Sequence, residues 1–72
     1  VAMFENLPDA PVADIRRVMS HVGRERVRVV DVIREARVAT GWSDERVRAA
    51  LMAAISEGSA GLHEDVTVSR VR

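Results

Sequence analysis

The sequence holds no cysteine and no lysine, carries no net charge, and has no apolar run longer than the seven residues from Ala49 to Ile55. Each absence excludes something. Without thiols, neither a disulfide nor a thiolate metal site can reinforce a core, so packing and backbone hydrogen bonds must hold the fold, as suits a reducing cytoplasm. A membrane-spanning helix needs about 20 apolar residues, far more than that run supplies. No basic stretch followed by an apolar one opens the chain, so no signal peptide is expected, and the start at Val1 instead of methionine points to a piece of a larger protein. Eleven acids balance the eleven arginines, leaving no overall field to draw the chain toward nucleic acid or anionic lipid. The exclusive use of arginine reads first as the coding bias of a GC-rich genome, with bidentate recognition of phosphate or carboxylate as the functional alternative.

What remains is enough to fold. With 72 residues, 47% of them apolar and spread along the chain, one small core is expected and a second domain is not. Residues 1–10 contain Pro8 and lack a sustained period, so they read as a linker, with Met3, Phe4 and Leu7 available to dock on the domain that follows. From Pro11, apolar residues recur at Val12, Ile15, Val18, Met19 and Val22, a helical stripe whose first turn is suited by Asp9 and Asp14. Between Arg24 and Val30 the period shortens, with Val27 and Val29 alternating with Arg26 and Arg28, as in a half-buried strand. Asp31 is then the expected cap of a second helix that turns Val32, Ile33, Ala36 and Ala39 inward and stops at Gly41.

The stretch from Thr40 to Gly58 is the most informative. Gly41 permits a tight turn, Trp42 is a bulky apolar plug between the second and third helices, and Ser43 caps a helix whose first turn holds Asp44 and Glu45. Val47, Ala50, Leu51, Ala54 and Ile55 share one face of that helix, and Gly58 ends it. In the tail, an apolar approach at Ala60 and Leu62, a polar break at His63, Glu64 and Asp65, and an alternating run through Val66, Val68 and Val71 predict a hairpin. The expected class is therefore α+β, with three helices, a short strand and a C-terminal hairpin.

That order, with the Thr-Gly-Trp-Ser turn at Thr40 to Ser43 and the Glu-Gly end at Glu57 and Gly58, resembles the winged helix-turn-helix superfamily over residues 11–72. The superfamily includes bacterial and archaeal transcription regulators and terminal domains of replication proteins such as archaeal MCM-type helicases. The resemblance implies that the third helix is offered to the major groove of double-stranded DNA while the hairpin, or wing, touches the backbone. It makes Ser43, Arg46 and Arg48 the expected DNA contacts from the third helix, and Arg70 and Arg72 those from the wing.

The residues themselves qualify that implication. At 100° per residue, the side of the third helix opposite Val47, Leu51 and Ile55 carries Glu45, Ala49, Met52, Ala53 and Ser56, with Arg46 and Arg48 on the flanks. Base edges and phosphates call for arginine, asparagine or glutamine, not an acid followed by small apolar groups. The expected wing tip, His63 to Asp65, also carries two acids, whereas seven arginines between Arg16 and Arg37 face only Glu25, Asp31 and Glu35 and could form a basic patch on the first two helices. The expectation is a DNA-binding or DNA-associated regulatory module. The alternative is a protein-interaction or dimerisation module that uses the outward face formed by Glu45, Ala49, Met52, Ala53 and Ser56.

Catalysis has little support. Asp44 and Glu45 are accounted for by the helix start, no nucleophile arrangement is recognisable, and the glycines match no phosphate-cradling loop. His21 and His63 read as surface residues without metal-ligand spacing. No cofactor and no small-molecule substrate is expected.

Overall fold

A computed structural model describes residues 10–71, so the expected linker, apart from Ala10, and the expected wing contact Arg72 lie outside the described residues. The order is α1 (Val12–Met19), β1 (Val27–Arg28), α2 (Val29–Thr40), α3 (Asp44–Glu57), β2 (Ala60–Leu62) and β3 (Thr67–Arg70). Among the described residues, three helices pack on a small antiparallel sheet of order β1-β3-β2, an α+β architecture consistent with a small winged-helix-like fold.

Helix α1 begins after Pro11, whose carbonyl accepts the N–H groups of Asp14 (3.0 Å) and Ile15 (3.1 Å). Ile15, Val18, Met19 and Val22 are buried as the stripe predicts, but Val12 is 63% exposed. Helical side chains lean toward the N-terminus, so the first residue of α1 projects past the end of the helix and away from the core.

The strand is shorter than expected. Only Val27 and Arg28 pair with β3, opposite Val68 and Thr67, and α2 starts at Val29. Pairing stops because the next residue of the opposing chain, Val66, turns away with φ 59°, and its carbonyl accepts the Val29 N–H at 3.1 Å. A wing carbonyl thus serves one of the unpaired donors at the start of α2, and Asp31 stands inside the first turn instead of capping it. Val32, Ile33 and Ala36 are buried. Ala39, expected inward, is exposed: it sits on the margin of the stripe beside Ala13 and Arg17 of α1, where the last turn of α2 runs beyond the core.

The turn from α2 to α3 follows its sequence. Gly41 takes a left-handed φ of 75° that costs glycine nothing, and its N–H donates to the Arg37 carbonyl at 2.8 Å. The Thr40 hydroxyl donates back to the Ala36 carbonyl and accepts from the Trp42 N–H. The Ser43 side chain accepts the Arg46 N–H at 3.2 Å as the cap of α3. At the far end, Gly58 at φ 89° and the Ser59 N–H bonded to the Ala54 carbonyl close the helix with a Schellman turn.

Val47, Ala50, Leu51 and Ala54 of α3 meet Val18, Val32 and Val68 in the core, and Ile55 and Trp42 pack on its edge. The expected hairpin is present, with Ala60, Gly61 and Leu62 opposite Arg70, Ser69 and Val68. Val68 faces the core; Val66 and Val71 are exposed.

Candidate interaction groove

Most of the arginines expected to meet DNA have partners inside the molecule. Arg46 leaves α3 toward α1, where its Nε and Nη2 donate to the two carboxylate oxygens of Asp14 at 2.9 and 3.0 Å. Its guanidinium carbon lies 3.9 Å from the centroid of the Trp42 ring. Asp14 is only 7% exposed, so its charge has little water to solvate it and depends on this fork. The hydrogen bonds from Arg46, aided by its positive charge, hold the Asp14 carboxyl below the usual carboxylate range, and the same contact raises the pKa of Arg46. Asp14 fits the start of α1 as its sequence position suggests, but its partner is 32 residues away.

Arg70 plays a comparable role at the other end of α1. Its Nε donates to the Val22 carbonyl at 3.1 Å and its Nη2 to the Met19 carbonyl at 2.6 Å, which also accepts the Val22 N–H, while its backbone N–H donates to the Gly23 carbonyl. Arg48 pairs with Asp44 one turn earlier on α3, and Arg37 of α2 stands 4.0 Å from the same carboxylate. The Ser43 hydroxyl is occupied as a cap.

The outward face of α3 is narrower than its helical wheel predicts. Glu45 and Ser56 are exposed and Met52 is 47% exposed, but Ala49 is half-buried and Ala53 belongs to the buried core cluster. Small side chains on both sides of α3 let neighbouring elements close over more of its circumference than a stripe centred on Val47, Leu51 and Ile55 anticipates.

A concave surface lies elsewhere. A groove of about 850 Å³ runs between the outer side of α2, the start of α3 and the turn of the wing. Val29, Ile33 and Trp42 are partly or fully buried along it, while Val30 (53% exposed), Val38 (83%) and Val66 (64%) stand open to solvent. Arg28, Arg34, Arg37 and Arg48 surround these apolar groups. Asp44 and Asp65 also line the groove, and four arginines less two aspartates leave +2 on a chain whose total is zero. Arg34 stands 3.8 Å from Asp31, whereas Arg28 has no carboxylate within salt-bridge distance among the described residues. Asp65 is held by the Thr67 hydroxyl and lies 3.7 Å from Arg26, and both contacts keep its pKa low.

Neither set of expected site residues contains this groove, except through Arg48. Its signal was present in the sequence: Val30, Arg34, Arg37 and Val38 recur at i, i+4, i+7 and i+8, which places them on one side of a helix opposite Val32 and Ala36. Assigning Val30 to a strand broke that stripe. His63 is accounted for by a 2.7 Å hydrogen bond between its Nε2 and the Ser69 hydroxyl across the wing. Among the described residues, no cluster of three metal-ligating side chains occurs and no helix is long and apolar enough to cross a membrane. The geometry is that of a small winged-helix-like α+β domain with an arginine-rimmed apolar groove. Comparison with protein-family models, curated proteins and solved structures finds no match for this chain.

Proposed function

We propose that this chain is a non-enzymatic winged-helix module that acts by binding a protein partner. The observation that carries this reading is the groove: three exposed valines line a concave surface, and only an apolar partner gains by covering them. The third helix supports it from the other side. Arg46 is committed to Asp14 and Trp42, Arg48 is paired with Asp44, and Glu45 and Met52 stand where a base-reading helix needs hydrogen-bond donors.

DNA association is the second reading, and it rests on a specific feature. Arg16, Arg17 and Arg24 have no carboxylate partner among the described residues, which would suit contacts to phosphates outside the groove. Titrating the whole chain with duplex DNA over a salt series separates the two readings. Protein binding as the main role predicts no saturable DNA complex at physiological salt. A tight complex whose affinity falls steeply as salt rises would replace it with the DNA reading.

A further inference from the structure

We infer that the groove between α2 and the wing takes an acidic amphipathic protein segment, one that sets apolar anchors on the valines and carboxylates against the arginine rim. The inference rests on the protein-binding reading and adds the site and the chemistry of the occupant.

The wing turn supplies the first argument. Val66 is the only described non-glycine residue with positive φ, and a β-branched side chain at φ 59° is strained because its Cβ crowds the neighbouring carbonyl. Asparagine or glycine would adopt this backbone more easily. The valine is 64% exposed, so it gains little from burial in the domain itself. The turn is held by hydrogen bonds on both sides, from the Val66 N–H to the His63 carbonyl and from the Val29 N–H to the Val66 carbonyl, each 3.1 Å. A strained residue fixed in place and presenting an apolar side chain to a groove is better explained by a ligand than by the fold.

Charge is the second argument. The groove carries +2 in its lining, and Arg28 and Arg34 flank the exposed Val30 in sequence at the start of α2. Carboxylates fit planar guanidinium forks and would complete arginines that Asp31 and Asp44 engage at 3.8 to 4.0 Å, too far for close hydrogen bonds. Phosphates would also meet arginine here, but a nucleic-acid backbone would leave Val30, Val38 and Val66 without an apolar partner and would bring Asp44 and Asp65 against like charge. An amphipathic helix or turn with spaced apolar residues satisfies both sets of groups.

The test uses the full chain and two synthetic helical peptides with leucine at i, i+3, i+4 and i+7, one with glutamate at the intervening positions and the other with lysine. Binding is read by fluorescence anisotropy, and its location by the methyl resonances of Val30, Val38, Val66 and Met52. The glutamate peptide should bind, shift the three valine methyls and weaken as salt rises; the lysine peptide should bind about tenfold more weakly. Reversing the rim with Arg34→Glu and Arg37→Glu should reverse that preference. Val66→Asn should raise the melting temperature while weakening the glutamate peptide several-fold, a combination that a merely structural role for Val66 would not give.

Equal binding of the two peptides, or shifts at Met52 instead of the valines, would overturn the acidic occupant and leave protein binding standing. Displacement of the glutamate peptide from the valines by duplex DNA would overturn both. Contacts from Phe4 and Leu7 of the same chain or a second copy, in the absence of peptide, would show the groove to be filled from within and would also overturn the acidic partner. No binding of either peptide would do the same.

Discussion

The arginines of α3 and the wing and those on the outer side of α2 are the same residue type at comparable exposure, yet they do different things. Arg46 and Arg70 reach across the domain to groups held inside the fold: a nearly buried carboxylate and the Met19 and Val22 carbonyls just after α1. Arg34 and Arg37 meet only half-buried, partly hydrated carboxylates at the limit of ion-pair distance, and Arg28 meets none among the described residues. An arginine therefore belongs to the fold when its partner would be costly to leave alone, and is available to a ligand when its partner is already in water. Helix-turn-helix position alone assigns the roles the other way round.

The largest expected effect falls on the first group. Arg46→Ala should cause the greatest drop in melting temperature of any single arginine replacement, because it strands Asp14 and uncovers the Trp42 ring. A double-mutant cycle with Asp14→Ala should show a coupling clearly above that of the Arg48 and Asp44 pair, measured by denaturant unfolding. Equal couplings would erase the distinction between the two groups. Arg70→Ala should cost about 1–2 kcal/mol, the order expected for losing charged hydrogen bonds to two carbonyls, and should speed amide exchange at Ser20 to Gly23.

Acid should weaken the first group through Asp14. Asp14 titrates below its ordinary value of 3.8, so its contribution is fully present above that value and is lost as pH falls through its lower native pKa. Asp65 shifts in the same direction and loses its contribution in the same way. Asp14→Asn should therefore lower stability at neutral pH and flatten the acid limb of a melting-temperature profile without abolishing it; an unchanged limb would mean that the fork contributes nothing. The smallest effect is expected at the rim, where Arg34→Ala and Arg37→Ala should each change stability by less than about 0.5 kcal/mol. A larger loss at either position would move that arginine into the structural group.

The fold was more legible than the site, for reasons visible in single residues. Ser43, Gly41 and Gly58 act within one or two turns of chain, so capping chemistry placed the ends of α3 and the turn before it without knowledge of anything distant. The hairpin was legible because its polar break separates an apolar approach from an alternating run. The start of α2 was not, because Val27, Val29 and Val30 suit a strand and a helix alike, and a hydrogen bond to the wing decides between them. That decision turns Val30 outward and completes the stripe with Arg34, Arg37 and Val38, so the groove does not follow from local alternation. Ala53 was misplaced for another reason: periodicity gives the direction of a side chain but not how many elements surround the helix.

By itself, the sequence determined the class, the three helices among the described residues, the strong boundaries of α3 and the existence of the C-terminal hairpin, since each depends on local propensity, capping or period. The tertiary structure alone decided which charges are partners and which surfaces stay open. Asp14 and Arg46, Arg70 and the carbonyls of Met19 and Val22, and Val66 and Val29 are all far apart along the chain. Their pairings depend on how helices and wing close on one another, and that closure commits two of the expected DNA contacts to the fold while leaving a groove lined with valine and arginine.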